Sequence, residues 1–530
     1  MDNSKELKTP TSDVLSEEIS QHAEFAQDVH GGNGFDQHDM HRMGKKQELR
    51  RNFEFFSIVG FVSILQATWE STLVASYIGL FNGGTAGVIW LTIVSWFCFL
   101  LLIASMAEMA SMAPTAGGQY HWVSEFAPAN WQKPASFLVG WTCCLGWVAG
   151  IPTCAQILAG LVQGMVLLVY PNATVASLWQ TALLIWAIMI IAFAFNIFAA
   201  KYLPLAESIV LVVHVLGFLA FLIAMWAFGH HAPAEKVFTK FNDGGGWGSV
   251  GLSTLVGFGS PLWFFIGPDA GAHMSEELRD ASLTLPRAMM WSTFLNGIIG
   301  IVTLITFCFC ITDLNAVLNT PTYQPVLQVL FDISGSYVAT CILGSLLSFL
   351  TLFGTITNIA TASRQCWAFA RDGGFPFSKW LSHVHPRYQI PLNALYMCAG
   401  ASFILAAINF GSTVTFFAII AISNAALIFS YLVSTLCIRI KRLRGEPLLP
   451  RRWSLGRWGG VVNDITLAFL VLAFVFSFFP TTPLTGDSTW ATDMNWACVV
   501  FGACCLWAWG YYVNGGRDIY VALVRLVKTL

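Results

Sequence analysis

Twelve stretches of this chain are long and apolar enough to cross a bilayer, at about 53–81, 86–112, 135–168, 177–199, 203–228, 250–275, 288–312, 336–363, 391–409, 411–438, 461–480 and 491–514. A spanning helix needs about 20 such residues, because a rise of about 1.5 Å per residue must cover a hydrocarbon core about 30 Å thick. The other fold able to span, a closed barrel, is built from strands of about 10 residues that alternate polar and apolar. These runs do not alternate, so the expectation is an all-α membrane protein with twelve transmembrane helices. Hydrophobic residues make up 56% of the 530 and charged residues 11%, which makes lipid the main solvent.

Orientation follows from Lys and Arg, which accumulate in cytoplasmic loops. If the N-terminus is cytoplasmic, only Lys236 and Lys240 of the 27 basic residues fall outside. Both ends are therefore expected in the cytoplasm, and the sequon Asn172-Ala-Thr174 falls in an outer loop. Residues 1–50 are polar, with no apolar run before a small-residue cleavage site, so they read as a disordered cytoplasmic tail and not a signal peptide. Residues 51–514 form the expected transporter domain, and 515–530 a short cytoplasmic tail. The 13 cysteines lie mostly in apolar runs without the spacing of a zinc site, so no metal and no cofactor is expected. Nothing resembles a nucleophile elbow or a catalytic cluster, which leaves an enzyme without support.

Two spans break their own pattern. In the sixth, Gly257, Gly259, Pro261, Gly267 and Pro268 stand where a continuous helix should run, and Asp269 follows directly. Irregular backbone at that depth is tolerated where protein or a water-filled cavity satisfies the freed groups, and an acid there is a functional candidate. The alternative is a kinked packing helix. The first span carries Gln66, Thr68, Glu70, Ser71 and Thr72 near its middle. An acid at a helix centre costs about 2.5 to 3.5 kcal/mol to insert, so Glu70 must face a cavity or a partner, either as a working group or as a neutral bridge between helices.

Other polar residues leave two readings open. His214 in the fifth span, two turns from Glu207, is either a proton site or a packing hydrogen bonder. Thr355, Thr357 and Asn358 in the eighth either line a cation or substrate path or bond back to their own helix. The loop from Ala113 to Trp122 has the Pro and Gly of a tight re-entry and is either a hinge or simple punctuation.

Three pieces, PTAGGQYHWVSEFAP from Pro114, FIGPDAGAHMSEELRDASLTLPRAM from Phe265 and SRQCWAFARDGGFPFS from Ser363, resemble the fungal amino acid and amine permeases of the amino acid, polyamine and organocation transporter superfamily. The resemblance runs from about Phe53 to Asn514. It implies a five-plus-five inverted repeat with spans one and six unwound at mid-membrane, plus two peripheral helices. Half-helix ends at such breaks suit an amino acid, with free N–H groups for the carboxylate and free carbonyls for the ammonium.

The substrate-binding set implied is Gln66, Thr68, Trp69, Glu70, Ser71, Gly259, Trp263, Gly267 and Asp269, with Thr355 and Asn358 along the path. His214 stands where broader members have a lysine, which implies proton coupling through His214 and Glu70. Glu70 itself departs from the pattern, since relatives have a small Gly or Ser there. An ionised Glu70 would favour an amine or quaternary ammonium, with Trp69 and Trp263 available for cation–π contact. The expectation is a proton-driven symporter importing amino acids or related amines across a fungal plasma membrane rather than a vacuolar one, with membrane lipid as its surroundings. A choline- or polyamine-type carrier, or a non-transporting nutrient sensor on the same fold, is the alternative.

Overall fold

The computed structural model describes residues 32–175, 177–411, 415–485, 490 and 494–521. Among the described residues, twelve helical segments have the length and apolarity to cross a membrane: Phe55–Val74, Tyr77–Met112, Gln132–Val169, Leu178–Phe198, Ala200–Phe228, Val250–His273, Ala281–Cys310, Tyr337–Arg371, Leu392–Phe410, Ala418–Leu443, Gly456–Phe476 and Ala497–Ile519. They are numbered one to twelve in that order. Among the described residues there is no sheet, only an isolated parallel bridge between Phe53 and Leu278. Parts of the expected tenth and twelfth spans, 412–414 and 491–493, lie outside the described residues.

Burial sorts the spans into centre and periphery. The most apolar stretch of the first span is 83% buried and that of the tenth 78%, whereas the twelfth is only 11% buried, so spans one and ten are core and span twelve faces outward. Small residues let the central helices approach. A side chain at Gly60 would stand 2.8 Å from the backbone oxygen of Glu207, which fixes glycine where spans one and five cross.

The first span is two helices, Phe55–Gln66 and Thr68–Val74, meeting at Ala67 in the left-handed conformation with φ 41°. The sixth is three pieces, Val250–Val256, Gly259–Phe265 and Ala270–His273. Gly267 lies between the last two with φ 122°, a conformation that only glycine adopts freely. The first span, expected to run to about residue 81, ends at Val74, and the second starts at Tyr77 and kinks at Gly84 with φ 67°. At the kink the backbone of Lys240 and Asn242 crowds Gly84, leaving no room for a side chain.

The N-terminal segment departs from the expected disordered tail. Residues 1–31 lie outside the described residues, but Gly34–Arg42 is a helix whose start is closed by reciprocal bonds between Asn33 and Asp36. Asp36 also accepts from the backbone N–H groups of Asp280 and Ala281, at 2.9 and 3.0 Å, and so caps the seventh span. Met40, Met43 and Leu49 are buried beneath it. At the other end Tyr520 is buried and donates to Ser136 at 3.0 Å, while 522–530 lie outside the described residues.

Candidate functional site

A cavity lies where the first, third, sixth, eighth and tenth spans meet. The first span lines it with Leu65, Gln66, Ala67, Glu70, Ser71 and Val74, and the sixth with Trp263, Ile266 and Gly267. The third contributes Trp147, Gly150, Cys154 and Ile157, the eighth Thr351, Gly354 and Asn358, and the tenth Ser423 and Leu427. Its volume is about 60 Å³. Ligand pockets run upward from about 300 Å³, so the site is contracted.

Of the residues expected here, Gln66, Glu70, Ser71, Trp263, Gly267 and Asn358 line the cavity. Others do not reach it, and helix phase explains why. Trp69 points away from the cavity, fully buried 5.2 Å from Phe221, so it offers no cation–π face to a ligand there. Thr68 donates to the carbonyl of Phe264 at 3.0 Å and ties span one to span six. Gly259 is helical and off the cavity wall. Thr355 donates to Thr351 O at 2.9 Å, in its own helix, whereas Thr351, Gly354 and Asn358 share the cavity face at the helical spacing i, i+3, i+7. The contributions of spans three and ten carry no distinctive sequence signal, being apolar and ordinary; only the buried Trp147 and the serine at 423 set them apart.

The fifth span meets Glu70 from behind the cavity. His214 Nδ1 lies 2.6 Å from Glu70 Oε1, and His214 Nε2 lies 3.1 Å from Asn296 Oδ1. An amide oxygen can only accept, so Nε2 carries a hydrogen and donates. Nδ1 then faces two neighbours, Glu70 and the Trp69 indole N–H at 3.1 Å. If Glu70 is ionised, Nδ1 must bear the proton to bond it; if Glu70 is protonated, its O–H donates to Nδ1. Either way one hydrogen lies between the two groups. All four side chains are buried. The second oxygen of Glu70, both polar atoms of the Gln66 amide and Asn358 Oδ1 take no hydrogen bond from the protein, and all three residues line the cavity.

Asp269 organises the far side of the break. Its carboxylate accepts from the Tyr431 hydroxyl at 2.5 Å and from the Gln119 amide at 2.6 Å, joining the sixth span to the tenth and to the helix Gln119–Phe126. It does not line the cavity. One turn on, His273 accepts from the Trp147 indole at 3.0 Å and donates from Nδ1 to Ala116 O at 2.9 Å. The 113–122 loop is thus packed under the broken span. Gly118, with φ 53°, has no room for a side chain because it would meet the His273 ring at 2.9 Å.

On the face that carries the N-terminal segment, charged groups close the molecule. Glu276 makes a bidentate pair with Arg371 at 2.8 and 2.7 Å and accepts from Ala116 N at 3.2 Å. Burial by itself would push its carboxyl up, but the Arg371 guanidinium and these hydrogen bonds outweigh that and hold it down to about 2. Lys45 pairs with Asp372, which also accepts from Tyr120 at 2.9 Å, and Arg364 pairs with Glu277 at 2.8 Å. At the opposite end a larger cavity, about 390 Å³, shares Val74 and Ile157 with the central one.

Comparison with known proteins places this architecture among transporters. A family model described as amino acid permease matches residues 53–504. A Macrophomina phaseolina protein described as a candidate amino acid/polyamine transporter is 31% identical over 428 residues, covering 80% of this chain and 94% of the other. The choline transporter of Saccharomyces cerevisiae is 28% identical over 90% of this chain and 83% of its own. An amino-acid permease of Schizosaccharomyces pombe is 26% identical over 96% and 89%.

Proposed function

The chain belongs to the amino acid permease family, a family of transporters and not of enzymes, and from that premise we propose a secondary active carrier that imports an amino acid or related amine together with a proton. The observation that carries the reading is the Glu70–His214 contact of 2.6 Å at the wall of the central cavity. A substrate ammonium entering the cavity favours the ionised form of Glu70. The shared proton then sits on His214 Nδ1, and the free oxygen of Glu70 takes the ammonium. Substrate and proton are bound together because one carboxylate answers to both.

The inverted repeat is supported by packing that recurs between the two sets of five spans. The second span packs on the seventh and the third on the eighth. The pairings one with seven and two with six, and three with nine and four with eight, occur as reciprocal sets. Breaks in the first and sixth spans fall at corresponding places, as alternating access by one bundle rocking against the other requires. The charge distribution supports cytoplasmic termini.

A cationic amine without a carboxylate is a second reading, favoured by the absence of any Lys or Arg from the described cavity wall while Glu70 keeps an unpaired oxygen. Uptake of labelled amino acids, GABA, choline and polyamines at two external pH values, in a permease-deficient fungal strain, separates the readings; fractionating the same cells locates the carrier. Uptake is expected to rise with external acidity, and His214→Ala to flatten that dependence while still reaching the membrane. A wild-type pH profile in His214→Ala would make the histidine a packing residue.

A further inference from the structure

Glu207 is a buried acid to which the Glu70–His214 pair gives no task. It lies on the fifth span two turns from His214, about 10 Å along the axis. Glu207, Val210, His214, Gly217 and Phe221 form that helix's buried stripe. Glu207 is 0% exposed. One of its oxygens, Oε1, lies 2.7 Å from Thr357 Oγ1; the other, Oε2, has no hydrogen-bond partner.

The single hydrogen of the Thr357 hydroxyl can go to Glu207 or to its own helix. Thr357 Oγ1 also lies 2.8 Å from Phe353 O, the carbonyl one turn back in its own helix. A hydroxyl has one hydrogen for these two acceptors. If Thr357 bonds its own helix, as threonines in such helices commonly do, the hydrogen between Thr357 and Glu207 must come from the acid. The groups in contact with Glu207 from spans one and eight carry no charge. Span one presents Gly60, and span eight presents Thr357. The next charge along span eight, Arg364, is committed to Glu277 at 2.8 Å. On the fifth span itself the titratable groups within two turns are Lys201 and Tyr202, both exposed with the Lys201 ammonium 4.6 Å over the Tyr202 ring, and His214, engaged with Glu70. Among the described residues no ion pair reaches Glu207, and an unpaired buried carboxylate is strongly disfavoured, so the acid sits there protonated.

We propose that Glu207 is a second proton-carrying group of the transport cycle, placed to release its proton when the face carrying the N-terminal segment opens. The reading rests on proton coupling through Glu70 and His214. Release moves the proton from the Glu207 carboxyl to entering water and leaves a carboxylate. The Thr357 hydroxyl then turns from Phe353 O to Glu207. Thr357 precedes Asn358, which lines the central cavity, so the state of Glu207 bears directly on the segment of span eight that touches the substrate site.

The test uses the full-length protein in proteoliposomes with the substrate that the uptake screen identifies. With a gradient of about one pH unit, one coupled proton supports about tenfold accumulation and two about a hundredfold. Glu207→Gln preserves shape and the Thr357 contact but cannot release a proton. It is expected to keep substrate exchange at equal pH while acid-driven accumulation falls about tenfold and the substrate-linked proton entry read by an internal pH dye falls by half. Glu207→Asp keeps an acid but shortens it away from Thr357, and is expected to retain accumulation with a displaced pH midpoint. Accumulation by Glu207→Gln equal to wild type, or an unmoved pH profile in Glu207→Asp, overturns the assignment while leaving coupling through His214 intact. Wild-type protein that moves substrate without any proton entry overturns the coupling reading, and Glu207 falls with it.

Discussion

Glu70 answers a cost visible from one residue: an acid in the middle of an apolar run must be matched by something. The match is His214 on one oxygen, and the cavity on the other. Glu70→Gln keeps the shape and removes the charge. A charge-assisted hydrogen bond contributes about 1.5 to 3 kcal/mol, so amine affinity is expected to fall about tenfold to a hundredfold, with proton-driven accumulation lost as well; equilibrium binding and accumulation assays measure the two separately. Unchanged affinity, accumulation and pH dependence would reduce Glu70 to a bridge between helices. Residue type made Glu70 and His214 legible as candidates, because each is expensive or titratable where it stands. Trp69 was read less well. Its chemistry suits a cation, but the turn of helix after Ala67 aims it at Phe221, and composition carries no information about that rotation.

At the scale of elements, the broken sixth span depends on an anchor. Gly267 permits the turn, and Asp269 fixes the short helix Ala270–His273 by accepting two hydrogen bonds, from Tyr431 and Gln119. Both partners donate, so Asp269→Asn can satisfy only one of them with its single oxygen and sets an N–H against the other. A buried donor left unmatched costs about 1 to 3 kcal/mol. The expected result is a lower melting temperature and impaired transport of every substrate tested alike, measured by uptake across the substrate panel. Loss confined to cationic substrates would instead make Asp269 a direct ligand. The break could be foreseen from glycine and proline, which have few other uses at that depth. That the helix Gln119–Phe126 supplies half of the anchor could not, because 150 residues separate Gln119 from Asp269.

Across the whole molecule, contacts concentrate on one face and space on the other. The N-terminal segment, the 275–281 turn and the end of the eighth span are locked together by Glu276–Arg371, Lys45–Asp372 and Arg51 bonding to Ser275 O. Under the proposed alternating access this face opens, and Glu276 sets a measurable limit on it. Its folded pKa of about 2 lies below the ordinary 4.5, so its stabilisation is complete above about pH 4.5 and is lost as pH falls from there toward 2. The shift corresponds to roughly 3 kcal/mol. Wild-type protein in detergent is expected to lose thermal stability across that window. Glu276→Gln should be less stable at neutral pH and flat across the window; a wild-type slope in the variant would assign the acid sensitivity elsewhere. The sequence by itself determined the solvent and the number of spans, because hydrophobic length is a property of local chain. Only the tertiary structure decided that Glu70 and His214 stand 2.6 Å apart, that spans three, eight and ten complete the cavity, and that residues 34–42 are an ordered helix and not free tail. Those outcomes depend on helix rotation and on contacts between distant segments, where a polar group is matched by whichever partner the packing brings within about 3 Å.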